Sequence, residues 1–500
     1  MSALHGAPSR GSDVPHGNNG PTGLFGRMFG TLEGRRPTGL KEAEKYGLPG
    51  GKMDGGATDK DQENPDVPAG FTFFGQFIDH NITFDALTRL GEQAAPNGLT
   101  DMRPPRLDMS NLYNAGPVVS SYLYDPASHQ TKLALSTDGV DVPRMSPSVA
   151  VIGEPRNDEN LLLNQLHVAL IKFHNEVVDQ LRAKKITTAF GDLLPDKPDN
   201  EPGTEQPGVP LDQLLDVDNY YDRVFAEAQR LVRWHYQWIV AHEFLRNFTD
   251  PHILEDVRTN GPRFFRPGGR PFIPVEFAVA AFRFGHPTVR SGYQVNDHFS
   301  GKIFPDDPDE KPPTRTKRTS LIGGAPVGPK FAVDWSYFFA VDQDRRPQRA
   351  RKILASLNTQ LLDLPVEAVP GAEHGALARP VASLAVRNLL RSEAQVLPSG
   401  QDVARKVGEV PLTDDQLDGK GPAYLWYYVL KEAEVLAGGR HLGPVGSRIV
   451  AEVLLGLLDA DPASYRSVYP AWRPTLGDGD FGVVDLLRFA GVVPFGGQRE

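Results

Sequence analysis

The sequence predicts a mainly α protein, built as a single large helical domain with long irregular loops and little β structure. Apolar residues recur at spacings of three and four over several long segments, whereas alternating strand patterns are few. Gly and Pro, with 50 and 44 copies, are concentrated between those segments, which indicates long irregular connections.

The clearest helical pattern follows Arg156, where leucines, Phe173 and Val177 recur every three or four residues up to Leu181. Asn157 or Asp158 is the predicted N-cap of this helix. Tyr122 to Leu135 is predicted to form a short hairpin. Further helices are predicted over 71–81, 219–247, 275–286, 347–363, 380–391, 422–437 and 447–459, with Pro287 ending the third of these. Residues 1–66 are predicted to form a partly irregular N-terminal arm, and 67–500 the helical domain.

Composition excludes several kinds of chemistry. The chain of 500 residues contains no cysteine, which rules out disulfides, iron–sulfur clusters, thiolate zinc sites and thiol catalysis. The net charge of −10 argues against nonspecific nucleic-acid binding. No signal peptide and no membrane-spanning segment is visible, so we expect a cytoplasmic soluble protein, with a monomer favoured and export by a route without a signal left open.

One short stretch combines aromatic and polar residues in a way that suggests a site. Residues 71–85 read FTFFGQFIDHNITFD. On a helix, Gln76, Asp79 and His80 are neighbours at spacings of three and four and share one face. Burying such groups unpaired costs roughly 2–7 kcal/mol each, so they need partners or a function. The alternative is an ordinary core helix whose histidine is hydrogen-bonded locally.

Four segments, taken together, resemble a known family. They are GQFIDHNI at 75–82, RNDE with a later HN at 156–175, AFRFGH at 281–286, and LAVRNLLRSEAQVLPSGQDVA at 384–404. In this order and spacing they resemble the animal-type haem peroxidases of the peroxidase–cyclooxygenase superfamily, in its bacterial branch. The resemblance runs from about residue 20 to 490 and implies a helical domain around a buried haem b.

The resemblance implies a proximal side built around His286, the ligand of the haem iron. Asn388 would accept a hydrogen bond from Nδ1–H of His286 and so fix its tautomer. Arg391 lies three residues further along the same helix face, and Arg283 would meet a haem propionate.

It also implies a distal side, on which His80 acts as general base and then general acid toward peroxide. Arg156 would stabilise the charge that develops as the O–O bond breaks. Gln76 would position peroxide or a halide through water.

Two carboxylates match positions that form ester bonds to haem methyl groups in mammalian members of the family. These are Asp79 and Glu159; the alternative is that both only hydrogen-bond the backbone. Position 160, a sulfonium-forming methionine in one mammalian enzyme, is Asn160 here, so that third link cannot form.

The family's calcium site corresponds to Asn81 and to the loop residues Pro104, Arg106, Asp108 and Ser110. Asp108 and Ser110 match the family, but Asn81 replaces the usual aspartate and Pro104 replaces a threonine. One formal charge instead of two weakens Ca²⁺ binding. Occupancy by Ca²⁺ is therefore left open.

The sequence thus favours a haem peroxidase that reduces hydrogen peroxide and oxidises small organic or halide donors. Two alternatives remain. One is a haem-dependent fatty-acid dioxygenase, for which the family needs a tyrosine near the haem edge, with Tyr293 as the candidate. The other, from a different class, is a haem-containing binding or adhesive protein with little turnover.

Overall fold

Helices dominate the described part of the chain, which in this computed structural model comprises residues 23–84, 100–197, 211–268, 271–306, 311–341, 345–365 and 382–493. The predicted mainly α class is confirmed. The α-helices in these ranges are α1 Leu40–Gly47, α2 Gly70–Ile82, α3 Ser110–Tyr113, α4 Gly116–Val119, α5 Leu161–Arg182, α6 Leu211–Ile239, α7 Leu245–Phe248, α8 Pro251–Asn260, α9 Leu384–Ala394, α10 Gly400–Val407, α11 Leu425–Ala437, α12 Pro444–Ala460, α13 Tyr465–Val468 and α14 Val483–Phe489.

The strands are short and form small separate sheets. They are β1 Gly23–Gly26, β2 Glu63–Pro68, β3 Thr100–Asp101, β4 Arg144–Ser146, β5 Val149–Ala150, β6 Ile273–Pro274, β7 Gly292–Asn296, β8 Phe299–Lys302 and β9 Arg349–Arg351. The first sheet has the order β3-β1-β6, and the others pair β2 with β9, β4 with β5, and β7 with β8.

Helix α2 lies inside the helical assembly and packs against α5, which in turn packs along α6. Every residue of α2 is buried except Gly75 and Gln76. Its phenylalanines explain the burial, since Phe73, Phe74 and Phe77 are each at most 2% exposed. The polar residues of this helix are therefore held by apolar packing on its other sides.

The segment before His286 differs from the predicted regular helix. Glu276–Ala280 forms a π-helix and Ala281–Thr288 a 3-10 helix, which continues past Pro287. Proline has a helix-compatible φ, and the helix extends one residue past it, to Thr288. A second π segment, Val240–Phe244, interrupts the long helix predicted over 219–247. Such π segments occur often at functional sites.

Three local predictions are corrected. The predicted helix over 347–363 is instead β9, paired with β2, followed by a 3-10 turn at Thr359–Leu361. The predicted hairpin at Tyr122–Leu135 has a single bridge, between Tyr124 and Leu133.

The third correction concerns the N-terminus of α5. Its N-cap is Asn160, not Asn157 or Asp158, and the Asn160 side chain accepts a hydrogen bond from Leu163 N. Asn157 and Asp158 precede it in a 3-10 turn, where their side chains bind other partners.

The described part of the N-terminal arm is fastened to the rest of the molecule. The carboxylate of Glu276 accepts from the backbone N–H groups of Met28 and Phe29. Arg27 donates to the carbonyls of Gln395 and Val396. The arm thus holds the π segment that leads to His286. Among the described residues, no helix combines the length and apolarity needed to cross a membrane.

Candidate functional site

A cavity with an empty volume of ≈ 1320 Å³, including its opening to solvent, lies beside the exposed edge of α2. We call it the larger cavity. Its walls are mostly apolar, and seven phenylalanines contribute to them. Besides Thr72, Asn160 and Thr288, its polar residues are Gln76, Asp79, His80, Glu159, Arg283, His286 and Arg387. Six of these seven were predicted from the sequence as site residues, and the fold brings them together from three distant segments.

His80 is completely buried on its helix. Its Nδ1 lies 2.9 Å from Oδ1 of Asn157, and its Nε2 lies 3.9 Å from Oε1 of Glu159. Burial, followed by the charge of Arg156, lowers the pKa of His80 to about 4, although Glu154 and Asp79 act in the opposite direction. The imidazole is therefore neutral at pH 7 and able to accept a proton.

Gln76 and Glu159 form a hydrogen-bonded pair at the same end of the cavity. Nε2 of Gln76 donates to Oε1 of Glu159, and Nδ2 of Asn160 donates to Oε1 of Gln76 over 3.1 Å. Burial raises the pKa of Glu159 to about 8, against the opposing charge of Arg156. At neutral pH this carboxyl group holds a proton.

Asp79, unlike Glu159, is ionised at neutral pH. Burial alone would raise its pKa, but Arg283, His80 and Arg156, together with a hydrogen bond from Thr83, hold the pKa below its usual value. Nη1 of Arg283 lies 3.5 Å from Oδ2 of Asp79, and Thr83 Oγ1 donates to Oδ1 over 3.0 Å. The two carboxyl groups near His80 thus differ in charge at pH 7.

Arg156 does not line the larger cavity. Its guanidinium donates to Glu154 and to the backbone carbonyls of His80 and Thr83, at 3.3 and 2.7 Å from Nη2. Arg103 binds the same Glu154 carboxylate, and the two arginines together lower the pKa of Glu154 despite its burial. In this position Arg156 holds the C-terminal end of α2. The distal role implied by the resemblance would require its guanidinium in the larger cavity.

A second, smaller cavity adjoins the first, and three arginines contribute to its lining. They are Arg156, Arg283 and Arg391, and Arg283 lines both cavities. Guanidinium groups bind carboxylates through paired, charge-assisted hydrogen bonds. These residues fit the carboxylate end of a haem, such as its propionates, while the apolar larger cavity with its two imidazoles fits the ring.

His286 lies at the cavity wall, with its ring centroid 6.2 Å from that of Trp426. Burial, followed by the charge of Arg283, lowers its pKa to about 3. Nδ2 of Asn388 lies 2.9 Å from its Nδ1. The predicted role of Asn388 needs its oxygen at this position, which a half-turn of the amide provides, since its two ends are nearly equal in size.

The residues of the predicted calcium site are only partly brought together. Nδ2 of Asn81 donates to Oδ1 of Asp108 over 3.1 Å, and Met109 N donates to Oδ1 of Asn81 over 3.2 Å. Ser110 N also donates to Asp108 over 2.8 Å, whereas Arg106 N donates to the Pro104 carbonyl.

A cation needs oxygen lone pairs, but here an amide N–H points at the carboxylate. As arranged, these residues do not fit Ca²⁺. Across the described ranges, no three His, Cys, Asp or Glu side chains are grouped in a way that could hold a metal ion.

Four residues of the site were missed by sequence reasoning. Asn157 and Glu154 flank Arg156 in the same motif, and Arg387 precedes Asn388. His167 lies in the same segment as Arg156, and its Nδ1 accepts from Asn157 Nδ2 over 3.0 Å. Their proximity to motif residues was the only available signal, since which side chain reaches which partner depends on the packing of α2 against α5.

The chain is similar to known proteins in part of its sequence and in its fold. Residues 106–318 match the sequence model of the animal haem peroxidase family. Among solved structures, the fold is similar to Peroxidase A from Dictyostelium discoideum, with a TM-score of 0.53 and 13% identity over 98% of this chain and 93% of that one. It is also similar to the fatty acid alpha-dioxygenase of Arabidopsis thaliana, with a TM-score of 0.54 and 13% identity over 98% and 80%. The fatty acid alpha-dioxygenase of Oryza sativa matches at 0.53 and 12%, over 98% and 84%. No curated protein sequence matches the chain.

Proposed function

We propose that this chain, which belongs to the animal haem peroxidase family through residues 106–318, reduces hydrogen peroxide and oxidises small organic or halide donors. Family membership implies a haem oxidoreductase. The observation that carries the finer proposal is the pairing of two neutral imidazoles on one cavity. His80 and His286 both line it, and each has an asparagine at its Nδ1.

On the proximal side, His286 would hold the iron through Nε2, with Nδ1 turned toward Asn388. Arg283 and Arg391, which line the smaller cavity, would bind the propionates of haem b. When bound, haem supplies the redox chemistry that takes up the oxidising equivalents of peroxide. The remaining work belongs to the side chains of this protein.

On the distal side, His80 would take the proton from the attacking peroxide oxygen at Nε2 and return it to the leaving oxygen. Its low pKa of about 4 keeps it in the basic form at neutral pH. Glu159, 3.9 Å away and protonated at pH 7, can hold a proton at the same end of the cavity. Gln76, hydrogen-bonded to Glu159 and Asn160, would orient peroxide or a halide.

Arg156 would support this chemistry indirectly, from outside the larger cavity. Its charge helps to keep His80 neutral, and its hydrogen bonds fix the end of the helix on which His80 stands. Direct stabilisation of the breaking O–O bond, as the resemblance implies, would need the side chain to swing into the larger cavity.

The second candidate, a fatty-acid dioxygenase, has support from two of the structural neighbours and from the apolar walls of the cavity. It needs a tyrosine at the haem. None of the described residues that line the larger cavity is a tyrosine. Tyr293 lies one layer behind, with its ring 5.3 Å from that of Phe73 and its hydroxyl accepting from Arg290 N. The peroxidase function is therefore favoured over the dioxygenase function.

A binding or adhesive role without turnover is the third reading. It gives no reason for a neutral histidine and a protonated carboxyl group to face the same cavity, which a proton-transfer reaction requires. The site geometry thus favours an enzyme.

Stopped-flow absorption spectroscopy tests the proposal directly. Haem-loaded protein is mixed with hydrogen peroxide, and separately with palmitic acid in oxygenated buffer while oxygen uptake is recorded. We expect a rapid change of the Soret band with peroxide and no oxygen uptake with the fatty acid. Oxygen uptake without a peroxide reaction would favour the dioxygenase, and neither response would favour a binding protein.

A further inference from the structure

We propose that Asn157 is a positioning residue that fixes which nitrogen of His80 carries the proton, and that His167 fixes the orientation of Asn157. The inference rests on the proposed peroxidase function, because it concerns the base of that reaction. Its structural part, the tautomer of His80, is a property of the protein itself and is testable without turnover.

The side chain of Asn157 lies between two imidazoles. Its Oδ1 is 2.9 Å from Nδ1 of His80, and its Nδ2 is 3.0 Å from Nδ1 of His167. All three residues are buried, at 0%, 0% and 1% exposure for Asn157, His80 and His167. In such a setting each hydrogen bond matters, because a buried polar group without a partner has lost its hydrogen bonds to water and gained none in return.

The chemistry of the amide decides both tautomers. An amide oxygen only accepts, so Nδ1 of His80 must carry the hydrogen that it accepts. A neutral imidazole has a single N–H, so Nε2 of His80 keeps its lone pair. This nitrogen is the one near Glu159, at the larger cavity. The geometry therefore leaves the basic nitrogen of His80 on the side where peroxide would bind.

The tautomer of His167 is coupled to the orientation of the Asn157 amide. Nδ2 of Asn157 only donates, so Nδ1 of His167 must present a lone pair and its proton sits on Nε2. Turning the amide around would set its oxygen against Nδ1 of His167 and its N–H against Nδ1 of His80, so both imidazoles would have to move their proton to the other nitrogen. His80 would then carry its proton on Nε2 and lose its function as a base. The tautomers of His167, on α5, and His80, on α2, are thus coupled through one side chain.

A neutral amide suits this position better than a carboxylate. The charged or titratable groups around His80 are Arg156, Glu154, Asp79 and Glu159. Burial and Arg156 disfavour the imidazolium, and Asn157 adds an acceptor without a negative charge. Asn157→Asp would keep the accepting oxygen but place a charge next to Nδ1. Asn157→Leu, of similar size, would remove the acceptor. The two variants separate tautomer control from simple packing.

Nitrogen-15 NMR of the full chain, labelled at histidine and measured before haem loading, tests the tautomer. His80→Gln identifies the His80 signals by their loss. We expect the Nδ1–H tautomer of His80 in the parent protein and in Asn157→Asp, and a substantial Nε2–H population in Asn157→Leu and His167→Phe. Asn111→Leu is the control, since Asn111 is equally buried and donates to Phe77 O of α2 over 3.2 Å. Nε2–H in the parent protein, or no change in Asn157→Leu, overturns the proposal.

The pH profile of the peroxide reaction in haem-loaded protein is the second readout. Asn157→Leu should slow the reaction on the order of 10²-fold, the lower end of what a general base contributes. Asn157→Asp should keep a high rate at alkaline pH but move the acid limb upward from about 4, because a nearby carboxylate favours the imidazolium. If the pH profile of Asn157→Asp is the same as that of the parent protein, the proposal is contradicted. If the parent protein has the Nδ1–H tautomer of His80 but does not react with peroxide, only the proposed function is contradicted.

Discussion

Arg283 and Asp79 form an ion pair, with Nη1 3.5 Å from Oδ2, between the segment that carries His286 and the helix that carries His80. The pair keeps Asp79 ionised, whereas Glu159, hydrogen-bonded to Gln76, holds its proton at neutral pH. Two carboxyl groups on one cavity thus enter any reaction with haem in different charge states.

The first prediction is that haem becomes covalently attached after exposure to peroxide, and mainly through Asp79 at pH 6. The ionised Asp79 is the better nucleophile there, and the share of Glu159 should grow as the pH rises through about 8. Acid–acetone extraction followed by mass spectrometry of haem peptides measures both shares. Asp79→Asn and Glu159→Gln serve as matched controls for each link. Complete release of haem after turnover would leave both residues with hydrogen-bonding roles only.

The second prediction concerns the proximal ligand. His286→Ala should abolish stable haem uptake, because cysteine is absent from the chain and Asn388 cannot replace an imidazole as an iron ligand. Asn388→Leu keeps the imidazole and removes its orienting partner, so haem affinity should fall by about 10–100-fold. Haem titration followed at the Soret band distinguishes loss of the iron ligand from loss of its orienting partner. Full haem binding with an unchanged spectrum in His286→Ala would disprove the assignment.

The third prediction is that His80→Ala retains haem but reacts with peroxide about 10²–10⁴-fold more slowly. In the parent protein the rate should fall as the pH drops through about 4, where His80 becomes protonated and can no longer accept a proton. His174→Gln is the control. His174 is equally buried, with a pKa also lowered to about 4, but it binds Tyr113 and Thr131 O away from the cavity. Its substitution should leave the acid limb in place.

The fourth prediction tests what Arg156 does. Arg156→Ala removes the donors to the carbonyls of His80 and Thr83 at the C-terminal end of α2 and one partner of the buried Glu154, and breaking a buried ion pair costs about 3–5 kcal/mol. Because Arg103 still binds Glu154, we expect a loss toward the lower end of that range, with a lower Tm and a slower peroxide reaction. Arg156→Lys should be intermediate in both. A slower reaction with an unchanged Tm would show that Arg156 acts directly on peroxide.

Much of the site could be predicted from sequence because it depends on local spacing. Gln76, Asp79 and His80 share one face of α2 since their separations match a helical turn, and the phenylalanines around them predict which faces are buried. The order of the motifs added His286 and Asn388, which the structure brings into contact 102 residues apart.

The rest depends on contacts between distant segments. Residues 349–351 become a strand because they pair with β2, a partner that local propensity cannot reveal. The position of Arg156 is decided by Glu154 and Arg103, and that of Asn157 by two histidines on different helices. Residue types in a motif indicated the chemistry, but not which cavity a long side chain would enter.

The last prediction is that the protein needs no calcium. In this structure Asn81 and Asp108 are joined directly by a hydrogen bond, and Met109 N fixes the orientation of the amide by donating to its oxygen. This contact braces α2 one residue from His80, at the point where the family places an ion. Prolonged chelation should therefore leave the Soret spectrum, the peroxide reaction and the Tm unchanged.

Asn81→Asp reverses the substitution and shows whether the hydrogen bond has taken over the role of the ion. It sets two carboxylates side by side in a buried place, so without Ca²⁺ we expect a lower Tm than in the parent protein, through repulsion between like charges. Added Ca²⁺ should restore the Tm of this variant and leave the parent unaffected. Asp108→Asn, which removes a charge instead of adding one and creates no repulsion, is the matched control and should show no response to Ca²⁺. If chelation instead removes activity from the unmodified protein, a tightly held ion must displace the Asn81–Asp108 hydrogen bond.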